Sequence, residues 1–342
     1  MKLSDFGNTS KTRNQYVDIW RLIAALIIVV LHSYHLEGWD SGKPFMSGKI
    51  FVEFFFVLTG FFTTKFSTGN NNISIKDAMN YAYRKYKPLW YYTFPYVLLV
   101  FFIRSFLNGS GINFRRFLNA LLEGLLIIKG SNVGQLWYLV ALLPLIPFFL
   151  FISSKIPTKL WIIIECVTGI HFYLVYCQYP SHFPVFYYRA FAGLCMGGIA
   201  YFLTTCLNKL PDLVRVNRVI ITDILSITGN CILLFIVFGA YTNSLDFRVA
   251  VAGFVIGLSL ILSGNRECKT KAMKLVSDLG RVYSFSIYVV HLPIADFTAY
   301  LFKEHLHQGL YFQFCFYVLS SILIAVIYEI IITRCMKKLY GN

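Results

Sequence analysis

The stretch DIWRLIAALIIVVLH (18–32) places an arginine and a histidine inside one long apolar run. Eleven residues at 100° each make three turns plus about 20°, so Arg21 and His32 share a helix face, about 16 Å apart along the axis. Arginine inside a membrane span costs about 2.5–3.5 kcal/mol on insertion scales, and such groups usually face a bundle interior or a wet cavity. An imidazole held there can remove a proton as a general base or attack as a nucleophile. A plainer reading stays open, in which Arg21 snorkels to a membrane surface and His32 hydrogen-bonds a neighbouring helix. His35 lies on the same face, nearer the end of the run, and reads as mostly structural.

The next apolar run, FVEFFFVLTGFF (51–62), carries Glu53 near its start. If it returns through the membrane, Glu53 and His32 lie at similar depths, and the carboxylate can fix the imidazole tautomer. Otherwise Glu53 is an interfacial acid in water. In YAYRKYKPLWYY (81–92), Arg84, Lys85 and Lys87 precede Pro88, where a helix is expected to start. Such a cluster binds phosphates by charge and by bidentate arginine contacts; it equally suits the cytoplasmic flank of a span. Four further ionisable residues, Glu165, His171, Asp223 and Glu329, sit in apolar runs without an assignable role. The eight cysteines show no CxxC pair, and most read as buried packing residues; the sparse histidines lack ligand spacing, so no metal site is expected.

The elements that must position these groups follow from composition. The 342 residues are 57% hydrophobic and 14% charged, with mean hydropathy +0.62, against about 45–50% and 25% in soluble domains. Ten apolar segments, 16–36, 48–66, 87–106, 134–153, 159–178, 186–205, 217–240, 246–263, 283–302 and 311–334, are long enough to be spans. With the N-terminus inside, 21 of the 31 Lys and Arg fall on the inner side and 9 on the outer. That bias predicts ten spans with both termini cytoplasmic. The net charge of +15 therefore reads as topology rather than as a nucleic-acid surface. NFRRFLNALLEGLLIIKG (113–130) is too short for an eleventh span and is expected as an amphipathic segment at the outer surface. GLCMG (193–197) and GFVIG (253–257) predict close helix packing. No signal peptide, linker or repeat is evident, so 1–342 is expected to be one all-α membrane domain.

DIWRLIAALIIVVLH resembles the first helix of the acyltransferase-3 membrane family: an Arg, ten residues, then His, with an Asp three before the Arg. FVEFFFVLTGFF is similar to that family's second-helix motif, GQLWYLVALL (134–143) to its Trp-aromatic-Leu motif, and GRVYSFSIYVVHLPI (280–294) to its late Ser…Tyr…His-x-Pro motif. The four occur in family order. Lys85 stands where the family's basic motif usually has Arg, three residues before Pro, with Arg84 adjacent. An appended extracellular domain, which some members carry, is not expected here.

The resemblance implies an integral membrane enzyme of bacteria, moving an acyl group, commonly acetyl, from cytoplasmic acetyl-CoA to a carbohydrate hydroxyl at the outer face. It implies His32 as base or nucleophile, oriented by Glu53. Arg21, held by Asp18, is expected to attract CoA phosphates or line a channel, with Arg84, Lys85 and Lys87 at the nucleotide. Ser284, Tyr288 and His291, at i, i+4 and i+7, are expected to bind the acceptor or the developing oxyanion, or to link helices. Trp137 and Tyr138 are expected to pack at the cavity. Expected partners are the acyl-CoA donor, a carbohydrate acceptor, membrane lipids and glycan-assembly proteins. A secondary transporter and a non-catalytic component of a glycan assembly system are the rival readings.

Overall fold

A computed structural model describes residues 13–36, 38–40, 42–70, 72–107, 113–130, 132–179, 185–211, 217–306 and 309–340; Lys2, Lys11 and Arg215 of the inner charge set lie outside them. Among the described residues the protein is all-α, with eleven α-helices and no strand. These are α1 (Gln15–Leu31), α2 (Phe51–Thr68), α3 (Ile75–Leu107), α4 (Phe114–Gly124), α5 (Trp137–Ser153), α6 (Thr158–Gln178), α7 (Val185–Leu207), α8 (Arg218–Tyr241), α9 (Phe247–Ser263), α10 (Lys271–Leu301) and α11 (Leu310–Tyr340).

All ten expected segments are helical, and seven are long and apolar enough to cross a membrane. The chain is a multi-pass membrane protein. Of the other three, α9 is short and apolar, while α3 and α10 are long and begin about twelve residues before their apolar runs. Pro88 does not start α3; it lies inside it. The polar first half of α3 is held because Ala78, Ala82 and Tyr86 recur at helical spacing and are buried, and Tyr86 donates to the Leu139 carbonyl of α5 at 2.8 Å.

The amphipathic segment forms α4, capped by Asn113, but it does not lie apart from the bundle. It runs antiparallel to the second half of α3. Phe117 meets Phe101 and Phe102, and Thr93 donates to the Gly124 carbonyl at 2.8 Å.

Two close crossings set the centre. Helices α1 and α10 run parallel, Gly280 against the Asp18 backbone at one end and His35 against Asp296 at the other. A Cβ at position 280 would collide with the Asp18 carbonyl. Helices α2 and α7 touch through Gly60, which abuts the Leu194 backbone, and Gly197, which abuts Val57 and Phe61. GLCMG is therefore a packing motif, and Gly253 and Gly257 do the same for α9 against Ile236 and Leu233 of α8. All eight cysteines are free; only Cys195 and Cys268 are buried, while Cys177, Cys206, Cys231, Cys315 and Cys335 lie on outward helix faces.

Candidate active site

Helix α1 ends at Leu31 and tightens into a 3₁₀ turn at His32–His35. The turn leaves His32 on the wall of a cavity of about 350 Å³, with Tyr34, Gln135, Trp137, Arg189 and Tyr288 among its lining. His32 Nδ1 is sealed from solvent and has no hydrogen-bond partner among the described residues. The ring packs 5.0 Å from His291 and 5.9 Å from His35, centroid to centroid. Nε2 is therefore the nitrogen left to face the cavity.

Glu53 does not orient His32. Its carboxylate is fully buried and pairs with the Arg189 guanidinium through one oxygen, while Tyr173 donates to the other at 2.5 Å. Arg189 counts as an outer-side charge in the sequence, yet it is only 7% exposed. It donates to the Lys49 carbonyl at 2.8 Å and stacks on Trp137 and Tyr176, 5.2 and 5.1 Å from their ring centroids. A buried carboxylate needs a counter-charge more than a neutral imidazole can supply, and the α2–α7 crossing delivers Arg189. The readable signal is a lone cation opening the apolar run of α7.

Pro293 shapes the other wall. It has no N–H, so the Val289 carbonyl loses its helical partner; Gln135 Nε2 donates to it instead, at 2.7 Å. Tyr96 donates to the Val290 carbonyl at 2.8 Å. Tyr288 gives its only hydroxyl hydrogen to the Gln135 carbonyl. His291 Nδ1 lies 2.9 Å from the Tyr288 carbonyl and therefore carries a proton directed there. Tyr288 and His291 thus frame the site, and their protons are already committed, which removes them as oxyanion donors. Ser284 is buried on α10 and is not among the residues lining the cavity.

A second cavity, of about 460 Å³, opens on the N-terminal side of α1. Arg13, Asp18, Arg21, Lys65, Asn208 and Arg266 contribute to its wall. Arg13 Nε lies 2.5 Å from Asp18 Oδ2, and Arg21 Nη1 lies 3.5 Å from Oδ1. Arg13 also pairs with Asp278 at 3.0 Å, so four cations meet two carboxylates and the wall keeps a net positive charge that favours anions. It shares no lining residue with the His32 cavity, and between Arg21 and Ile28 α1 is wholly buried at Ala24 and Ala25. Arg84, Lys85 and Lys87 do not line it. Lys85 sits over the Tyr81 ring at 5.4 Å, and that ring packs on Phe66 of α2.

Three of the four unassigned residues have polar partners. Glu165 accepts from Thr64 at 3.3 Å and lies against Gly198. Glu329 joins three helices, accepting from Tyr92 at 2.9 Å and from Ser286. Asp223 pairs with Lys269 at 2.7 Å. His171 is exposed on α6. No group of His, Cys, Asp or Glu among the described residues is arranged to hold a metal.

The family model described as "Acyltransferase domain" matches residues 14–330, nearly the whole chain and every lining residue of the two cavities except Arg13. The chain belongs to the acyltransferase-3 family. It is a membrane acyltransferase. No curated protein and no solved structure matches it.

Proposed function

We propose that this acyltransferase moves an acetyl group from acetyl-CoA, bound at the basic cavity on the cytoplasmic side, to a hydroxyl of a cell-surface carbohydrate or its lipid-linked precursor at the His32 cavity. One observation carries the reading: α1 contributes Arg21 to a cationic cavity near its start, and the 3₁₀ turn that follows its end contributes His32 to a second cavity. The two ends of a CoA thioester differ in the same sense, an anionic nucleotide and a neutral acyl arm. Arg13, Arg21, Lys65 and Arg266 take the phosphates. The arm runs along α1, and its passage requires Ile28 and Leu58 to give way.

At the far end, His32 Nε2 accepts the proton of the acceptor hydroxyl as its oxygen attacks the thioester carbonyl. Lys49, on the same cavity wall, faces the developing oxyanion. The C–S bond breaks, and the CoA thiolate recovers the proton from the imidazolium. Attack by His32 itself, through an acyl-imidazole, uses the same nitrogen. The setting that fits is the cytoplasmic membrane of a bacterium, beside a glycan-assembly system.

Membrane vesicles carrying the protein or its His32→Ala variant, given radiolabelled acetyl-CoA and glycan-bearing membranes, test this. Label should enter the glycan fraction with the wild type and not with the variant at equal expression. Undiminished transfer by the variant would remove His32 as the base.

A further inference from the structure

Three imidazole nitrogens near the His32 cavity are buried and lack a hydrogen-bond partner among the described residues: His32 Nδ1, His35 Nε2 and His291 Nε2. Buried polar atoms of native proteins are almost always satisfied, by protein or by ordered water. The hydrogen-bond roles of the three follow from their opposite ring atoms. His291 Nδ1 faces a carbonyl, 2.9 Å from the Tyr288 oxygen, and a carbonyl only accepts. The proton is therefore on Nδ1, and in the neutral ring Nε2 is a bare acceptor. His35 Nδ1 faces Asp296 Oδ1 at 2.7 Å and directs its hydrogen there, so in the neutral ring its Nε2 is an acceptor. His32 is the reverse. If Nε2 keeps a lone pair toward the cavity, Nδ1 carries the hydrogen and is a donor.

The set is thus one donor and two acceptors. His32 is common to the set, its ring centroid 5.0 Å from that of His291 and 5.9 Å from that of His35. A water molecule matches it, accepting once and donating twice, and three hydrogen bonds are typical of a buried water.

We infer that His32, His35 and His291 together hold one structural water, and that this water fixes His32 in the tautomer whose Nε2 is free to react. His35, backed by Asp296, and His291 are positioning residues. Asp296 also pairs with Arg104, so its charge is itself anchored. The arrangement supplies what Glu53, committed to Arg189, does not.

The inference concerns the same histidine as the proposed reaction, but its test needs neither acyl donor nor acceptor. The purified protein is treated with diethyl pyrocarbonate at fixed neutral pH, and modification of His32 is followed by peptide mass spectrometry. His291→Phe and His35→Phe keep a ring but lose the acceptor, and His32 should then react at least about threefold more slowly, as an imidazole with an unfixed tautomer does. His291→Gln and His35→Gln place an amide oxygen near the lost Nε2 and should restore the rate to within about twofold. His291→Asn, too short to reach, should behave like the Phe variant and serves if that variant does not fold. The inference is overturned if the Phe and Asn variants react as the wild type does, if the Gln variants are as slow as the Phe variants, or if wild-type His32 is not modified.

Discussion

Glu53 on α2 and Arg189 on α7 form an ion pair with both partners buried, and Tyr173 on α6 completes the carboxylate. Removing one partner of a buried pair strands the other charge at a cost of about 3–5 kcal/mol. Glu53→Ala should therefore lower thermal stability in detergent more than most single substitutions. Glu53→Leu with Arg189→Met removes both charges and should recover much of the loss. Melting curves of the three proteins decide it: a double variant no better than Glu53→Ala would mean the pair does not act as a unit.

The α2–α7 crossing makes that pair possible, and it depends on Gly60. A Cβ there would meet the Leu194 backbone, which cannot swing away as a side chain can. Gly60→Ala should cost at least about 1–3 kcal/mol and reduce the yield of folded protein. Gly309, where an added Cβ would meet no atom of the other described residues within 4 Å, should accept alanine without loss. Size-exclusion profiles of the two variants at equal expression provide the comparison.

What is legible in the sequence and what is not divide along a physical line. Apolar run lengths, the GxxxG spacing and the Arg21–His32 periodicity are local properties, and ten helical segments and two packing seams follow from them. Pairing across helices is not local. Depth alone matches Glu53 to His32, yet depth leaves the azimuth of each helix free, and rotation toward α7 gives Glu53 the guanidinium of Arg189. Pro88 misleads for a related reason: a proline breaks a helix in isolation, whereas the buried stripe Ala78, Ala82, Tyr86 holds this one together. The basic cavity draws Arg13, Lys65 and Arg266 from three separate segments, so no contiguous motif announces it.

That cavity separates two groups of cations that look alike in the sequence. Arg266 lines it, and Arg84 does not. A charge-assisted contact to phosphate contributes about 1.5–3 kcal/mol, so Arg266→Gln should raise the KM for acetyl-CoA by about tenfold or more, with little change in kcat. Arg84→Gln should leave the KM within about twofold. Equal effects from the two substitutions would move the nucleotide site out of this cavity and toward the exposed face of α3.

The hydrogen bond lost at Pro293 gives the sharpest energetic test, because its replacement is known. Gln135 donates to the Val289 carbonyl only because residue 293 has no N–H to offer. Gln135→Ala leaves that buried carbonyl unpaired and should cost about 1–3 kcal/mol. Pro293→Ala restores a helical N–H to the same oxygen, so in that background the loss of Gln135 should be cheaper by about 1 kcal/mol. A double-mutant cycle on thermal stability measures the difference directly. Full additivity would mean that Gln135 supports the site by some route other than the carbonyl of Val289, and that the wall of the His32 cavity does not depend on this repair.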